Sequence, residues 1–326
     1  MIFEKITTVP TSDELIDKAF RRASRAMSGK KITGRDTARQ AHESMILTSG
    51  NILADNLSNI VRRFPNFDDL HPFYYDLVNV MVGVDKLRMA LGTMDWASSK
   101  IHGMAREHVG MIRKGQEPTS VRRQFFGRMG SIMKSINKDL VFLNDARNKL
   151  RELPSVHDEP TIVVAGYPNI GKSSFVSMAT GAKPEIASYP FTTKGVSIGH
   201  FMIGPDRYQV IDTPGLLDRP MSERNEIELQ AISALTNLEA VVLFIIDPSE
   251  SCGYELHDQK NMLEDVRDAF DLPFLVVANK SDLPQFKELD YADMKMSTAT
   301  GEGVKEVMDK LVEMMHQLKI EKVEEE

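Results

Sequence analysis

The segment Gly166-Tyr-Pro-Asn-Ile-Gly171-Lys172-Ser173 directly follows the apolar run Thr161-Ile-Val-Val-Ala165 and dictates a strand, a tight anion-binding loop and a helix, in that order. Two glycines let the backbone wrap phosphates with its N–H groups, and the helix that opens there adds its dipole. Lys172 reaches the β- and γ-phosphates, and Ser173 offers its hydroxyl to Mg2+. Asn169, Ile170, Gly171 and Ser174 complete the loop positions expected to touch nucleotide.

A second segment, Asn279-Lys280-Ser281-Asp282, also follows an apolar run, and it selects the base. The Asp282 carboxylate can accept from both N1–H and the exocyclic amine of guanine, whereas adenine leaves it unpaired at a cost of several kcal/mol. Asn279 and Lys280 share this nucleotide-binding role. Between the two lies Asp212-Thr-Pro-Gly215: Asp212 is placed to hold Mg2+ through water, and the Gly215 N–H to sense the γ-phosphate. Ser297-Thr-Ala-Thr-Gly-Glu-Gly303 follows a short run, so Ser297 and the N–H groups of Thr298 and Ala299 are expected near guanine O6. GTP/GDP and Mg2+ are thus the expected ligands, with Lys172 and Gly215 as catalytic candidates.

The chain changes period halfway. Val121, Phe125, Met129, Ile132, Ile136, Leu140, Leu143 and Leu150 form one helical stripe, which predicts a helix over 118–151 about 50 Å long, with Pro118 at its start. Further helices are predicted over 84–112, over 33–62 with a weak point near Gly50, over 12–27 capped by Ser12, and over 68–82 capped by Asp68. From Thr161 onward short apolar strands alternate with helices: 161–166, 195–203, 206–212, 240–247, 273–279 and 293–296, the second and third as a hairpin. The expected fold is therefore an all-α antiparallel helical bundle over 1–158, followed over 159–326 by an α/β doubly wound, mostly parallel P-loop sheet.

Charge divides at the same place. Residues 1–158 carry 25 Lys and Arg against 18 Asp and Glu, while 159–326 carry 15 against 29. A basic first half suggests a polyanionic partner, although two oppositely charged domains also simply attract each other. The nucleic-acid candidates are Arg21, Arg22, Arg25, Lys30, Lys31 and Arg35, with Arg122, Arg123 and Arg128. Trp96, Phe125 and Phe126 read mostly as core, Phe126 being also a stacking candidate because it falls off the apolar stripe, and His42, His102 and His108 lack metal-ligand spacing. The lone Cys252 admits no internal disulfide, which fits a reducing cytoplasmic setting. No apolar run is long enough to span a membrane and no hydrophobic signal core opens the chain, so no membrane partner is expected; the oligomeric state stays open, with a monomer favoured.

Gly-Tyr-Pro-Asn-Ile-Gly-Lys-Ser-Ser at 166–174, Tyr-Pro-Phe-Thr-Thr-Lys-Gly at 189–195 and Asp-Thr-Pro-Gly-Leu-Leu-Asp-Arg-Pro at 212–220, with Glu-Arg-Asn-Glu-Ile-Glu at 223–228, resemble the Obg-like translation-associated GTPases. More narrowly, the chain is similar to the nucleolar GTP-binding protein 1 family in its archaeal form. The resemblance implies a GTPase of large ribosomal subunit assembly, bound to the subunit precursor, its rRNA and ribosomal proteins. It also implies that Thr193, rather than Thr192, is the switch threonine that closes over Mg2+, and that Asn169 stands where some relatives hold K+, an asparagine that merely bonds its own loop being the alternative reading.

Leu216 occupies the position where many small GTPases carry a water-orienting glutamine, so slow intrinsic hydrolysis is expected. Asp247 closes a strand and either assists the site or merely turns the chain, and Arg219, Glu223 and Arg224 are expected to meet a partner or the bundle. Three competing readings stay open: a GTP-binding scaffold with negligible hydrolysis, another Obg-like translation or stress GTPase, and a mechanical or membrane-linked GTPase. Against the last stands the lack of an exposed apolar helix, lipid motif or polybasic tail.

Overall fold

The computed structural model describes residues 2–28, 35–154, 156, 159–181, 185–187, 189 and 195–325. Six helices come first: α1 (Ser12–Ser28), α2 (Arg35–Arg63), α3 (Pro72–Met81), α4 (Val84–Arg113), α5 (Pro118–Ser135) and α6 (Asn137–Arg151). The chain then divides into two units, one of residues 1–69 and 82–151, the other of residues 70–81 and 152–326.

In the first unit the apolar stripes of α1, α2, α4, α5 and α6 bury Leu15, Leu53, Leu57, Leu87, Met94, Ile101, Phe125, Met129 and Leu140 against one another. The expected weak point at Gly50 does not interrupt α2. A Cβ there would lie 2.7 Å from the Ala105 Cβ, so the glycine permits close approach of α2 and α4. Three other expectations change. The single helix over 118–151 breaks at Ile136, where the Asn137 side chain turns to accept the Ser12 N–H (3.0 Å). Asn144 accepts from the Val9 N–H and Arg147 Nε donates to the Ile6 carbonyl, so α6 is committed to the N-terminal segment. The cap of α1 is Thr11 rather than Ser12: its hydroxyl accepts from Glu14 N–H while the Glu14 carboxylate accepts from Thr11 N–H.

Residues 70–81 carry the third change. A helix starting at 68 was expected, within the bundle; instead α3 starts at Pro72 and packs on α8 (Glu226–Ala234) of the second unit. Asp68 lies in a short 3-10 turn and pairs with Arg88. The Tyr74 hydroxyl sits 2.8 Å from both the N–H and the carbonyl of Val156, and burial pushes its pKa up to about 12. Asn237 Nδ2 donates to Asp76 at 2.8 Å.

The second unit is built on a seven-stranded sheet. Its strands are β1 (Thr161–Ala165), β2 (Glu185–Ala187), β3 (Val196–Ile203), β4 (Asp206–Asp212), β5 (Ala240–Ile246), β6 (Phe274–Ala278) and β7 (Met294–Lys295), in spatial order β2-β3-β4-β1-β5-β6-β7. β3 runs antiparallel to β2 and β4; the other pairs are parallel. Every residue of β1 and β5 is buried, as central strands with both faces covered require. β2, which no sequence signal marked, is a three-residue edge strand. The helices α7 (Lys172–Thr180), α9 (Leu256–Ala269) and α10 (Val304–Glu325) pack on the sheet. Candidate site residues follow the carboxyl ends of β1, β4, β5 and β6, where open α/β sheets bind ligands. No described helix is long and apolar enough to cross a membrane.

Candidate nucleotide site

β1 runs straight into the loop 166–171, and α7 begins at Lys172 with Gly171 as its left-handed cap (φ 105°). A Cβ on Gly171 would stand 2.3 Å from Asn279 Nδ2 and 2.8 Å from Thr298 Oγ1, so glycine here lets three loops meet. Asn169 also takes a left-handed conformation (φ 64°), which asparagine tolerates better than most residues. The buried Lys172 ammonium donates to the carbonyls of Gly166 (2.7 Å) and Tyr167 (2.8 Å), so the cation lies across its own loop. Ser174 is exposed one position beyond Ser173 on the first turn of α7.

Asn279 is the joint of the site. Its Nδ2 donates to the Ile170 carbonyl (2.6 Å) and to Thr298 Oγ1 (3.0 Å), while its Oδ1 accepts the Thr298 N–H (3.0 Å). Three residues on, Asp282 Oδ1 accepts the Ser297 hydroxyl at 2.6 Å, and Ser297 Oγ accepts in turn from the Ala299 and Thr300 N–H groups. The segment proposed to read guanine is thus wired to the phosphate loop on one side and to 297–300 on the other. The N–H groups of Thr298 and Ala299, expected toward guanine O6, are engaged by Asn279 and Ser297 in this structure.

Ser173 and Asp212 also meet: the serine hydroxyl donates to Asp212 Oδ2 at 2.7 Å. Asp212 is fully buried, and its Oδ1 has no hydrogen-bond partner among the described residues. Burial pushes its pKa up, with the Ser173 hydrogen bond and the Lys172 charge pulling part of the way back. A buried carboxylate with one unsatisfied oxygen beside a serine hydroxyl is a donor set that suits Mg2+ and its water shell. Among the described residues no group of three or more His, Cys, Asp or Glu side chains forms a separate metal cluster.

The loop after Asp212 differs from its reading in the sequence. The Gly215 N–H donates to Asp218 Oδ2 (2.7 Å), a carboxylate the sequence reading did not single out. The Arg224 side chain is fully buried and donates to the Gly215 carbonyl at 2.7 Å, so it is an internal strut of this loop, where a contact to a partner or the bundle was the expectation. Arg219 instead pairs with Glu228 (2.8 Å), which closes a capping box with Asn225 at the start of α8. Leu216 is fully buried. Tyr189, at the edge of the first switch, is buried and donates its hydroxyl to the Ala231 carbonyl of α8 (2.8 Å). Thr192 and Thr193, with the rest of 190–194, lie outside the described residues.

On the bundle, Arg21, Arg22, Arg25, Arg123 and Arg128 are exposed, Arg21 3.6 Å from Asp17, and Arg122 is half-buried. Lys30, Lys31 and the Arg35 side chain lie outside the described residues. Phe126 packs against Phe20 (ring centroids 4.8 Å apart) and Phe125, in keeping with its core reading and not with the stacking alternative, whereas Trp96, expected in the core, is 52% exposed on α4.

A doubly wound sheet whose strand ends carry the loop 166–171, a Ser173–Asp212 pair and an Asn-Lys-Ser-Asp segment is the fold of a P-loop GTPase. Two family models match the chain, the NOG1 N-terminal helical domain over residues 3–157 and nucleolar GTP-binding protein 1 over residues 226–282. The chain belongs to the nucleolar GTP-binding protein 1 family. It is 43% identical over 287 residues to an uncharacterised protein of Methanocaldococcus jannaschii, covering 86% of this chain and 81% of that one. Nucleolar GTP-binding protein 1 of Drosophila melanogaster is 35% identical over 338 residues, 96% of this chain and 51% of the fly protein; that of Caenorhabditis elegans is 36% identical over 331 residues, 94% and 48%. The chain spans about half the length of these two relatives. A Plasmodium falciparum structure bearing the same family name is 33% identical and aligns over 52% of this chain and 94% of that one, with a TM-score of 0.48.

Proposed function

We propose that the chain is a GTP-hydrolysing switch acting in assembly of the large ribosomal subunit, with its bundle on rRNA of the precursor particle. The observation that supports the nucleotide part is the double engagement of Asn279, on the Ile170 carbonyl and on Thr298, which ties the segment ending in Asp282 to the loop 166–171. Lys172 and the loop amides would hold the phosphates, Asp282 the guanine edge, and Thr193 would close the first switch. Mg2+, held by Ser173 and through water by Asp212, would neutralise charge between the β- and γ-phosphates. K+ beside Asn169 is the candidate group to compensate for Leu216, and replacement by Na+ should then slow hydrolysis.

Support for the ribosomal part comes from the names of the relatives and from the exposed basic residues Arg21, Arg22, Arg123 and Arg128. Cytoplasmic, monomeric action is part of the same proposal. The test has two stages: calorimetry with GTP and ATP in Mg2+, then co-sedimentation with large subunits in a GTP analogue and in GDP. Binding of ATP as tight as GTP removes the nucleotide assignment. Equal co-sedimentation in both nucleotide states removes the switch. The buried Leu216 favours one second reading, a GTP-stabilised scaffold that barely hydrolyses; multiple-turnover phosphate release with and without large subunits separates the two.

A further inference from the structure

Asp247 is a strand-end residue that the nucleotide assignment leaves unused, yet it is fully buried at the end of β5 and surrounded by donors. Its Oδ1 accepts from the Ser249 N–H (3.0 Å) and hydroxyl (2.5 Å); its Oδ2 accepts from the Ser251 hydroxyl (3.0 Å), the Cys252 N–H (2.8 Å) and the Lys280 ammonium (2.7 Å). The Asp247 backbone is fixed too, because Gln259 of α9 accepts from its N–H (2.8 Å) and donates to its carbonyl (3.1 Å). A turn aspartate needs only one or two such bonds. This one gathers a whole loop and ends on a single cation. Burial by itself would push its pKa up, but the Lys280 and Ser249 hydrogen bonds outweigh it, so the carboxylate stays ionised.

Lys280 is held at both ends. Its backbone is left-handed (φ 65°), a conformation that a long side chain adopts only under constraint, and its ammonium is bound by Asp247 and by Ser251 Oγ (2.9 Å). Three positions of one segment therefore pin three loops: Asn279 takes 170 and 298, Lys280 takes 247–251, and Asp282 takes 297. With its charge neutralised on Asp247, the Lys280 stem is a fixed row of methylenes, a surface suited to the flat face of a base.

We propose that Asp247 is the positioning residue of the base-reading segment, holding Lys280 so that the stem and the backbone from Asn279 to Asp282 keep the spacing a guanine requires. The inference rests on the GTP assignment above and extends it to a residue outside its motifs.

The test is a double-mutant cycle in the full-length protein, Asp247→Asn against Lys280→Met, read by dissociation of fluorescent GDP and by the GDP-to-IDP affinity ratio. Asp247→Asn is expected to speed GDP release about tenfold in the wild-type background and by less than about twofold when Lys280 is already Met. The preference for GDP over IDP, which lacks the exocyclic amine, falls with it. An equal acceleration in both backgrounds, or none in either, overturns the proposal, because the carboxylate would then act on folding alone or not at all. Should Asp247→Asn fail to fold, Asp247→Glu in the two Lys280 backgrounds provides the same comparison. Failure of the wild type to prefer GDP over ADP would instead sink the GTP assignment, a result distinct from either.

Discussion

The Gly215 N–H donates to the Asp218 carboxylate at 2.7 Å, so the amide expected to sense the third phosphate is held by an internal anion. Charge-assisted bonds of this kind are about twice as strong as neutral ones. A γ-phosphate oxygen reaching for the same donor must displace Asp218, and two anions cannot share it. On the proposed function, the arrangement is expected to weaken the preference for GTP over GDP in the isolated protein and to make closing of the loop a competition.

Removing the competitor should show this. Asp218→Ala is expected to raise the ratio of GTP-analogue to GDP affinity by about three- to tenfold, with Asp218→Asn intermediate because its amide oxygen still accepts but carries no charge. Fluorescent-nucleotide titration in Mg2+ measures the ratio. An unchanged ratio in both variants would mean that the Asp218 contact does not compete with nucleotide.

Arg224 stabilises the same loop from below. Its buried guanidinium holds the Gly215 carbonyl (2.7 Å) and lies 3.4 Å from the Arg219 carbonyl, and burial lowers its pKa with Arg219 adding to the effect. Arg224→Ala should cost the second unit about 2–4 kcal/mol, and Arg224→Lys should not restore it, since an ammonium cannot bridge two carbonyls in a plane. Arg219→Ala, at a guanidinium 41% exposed, should cost less than about 1 kcal/mol. Hydrogen exchange over 213–228 is the proper readout, because the one tryptophan, Trp96, lies in the other unit. Equal losses for Arg219→Ala and Arg224→Ala would contradict the burial argument.

Asp212 supplies a pH prediction. Burial raises its folded pKa above the unfolded value, so the folded protein is penalised as pH rises through the folded pKa, and the penalty vanishes below the unfolded one. Without nucleotide or metal, Asp212→Asn should therefore melt higher than the wild type near neutrality, by about 2–4 °C for each kcal/mol relieved, and the gain should fade toward about pH 4. Mg2+ with GDP should stabilise the wild type more than the variant at neutral pH. A variant that melts lower at neutrality would show that the carboxylate is needed by the fold itself.

How much of this was legible in the sequence depends on what kind of signal each residue emits. The phosphate loop and Asn-Lys-Ser-Asp are contiguous and fixed in spacing, and the strands β1, β5 and β6 announce themselves as apolar runs. The break at Ile136 was hidden because the apolar stripe continues across it, and the cause is Asn137 reaching a residue 125 positions away. Placement of α3 with the second unit, burial of Arg224 and exposure of Trp96 share this cause: each is decided by a partner distant in sequence or by which side of a stripe faces its neighbour. Asp218 is different. A carboxylate three residues after a turn glycine is a local signal, but the same spacing is met by many solvated carboxylates, and only the geometry of the turn aims this one at the Gly215 N–H.

Leu216 decides a last experiment. Installing glutamine there is the obvious attempt to speed hydrolysis, since glutamine orients the attacking water in many GTPases. Here the Leu216 side chain is fully buried, within a turn in which the Leu216 and Leu217 N–H groups both donate to the Thr213 carbonyl (3.0 and 3.3 Å). A glutamine in its place would bury an amide that needs hydrogen-bond partners, at a cost of about 2–4 kcal/mol where it finds none. Leu216→Gln is therefore expected to leave single-turnover GTP hydrolysis no faster than in the wild type while lowering protection of 213–217 in hydrogen exchange. If hydrolysis instead rises tenfold or more, the residue must turn toward the nucleotide once GTP is bound, and its position in the core describes only the resting loop.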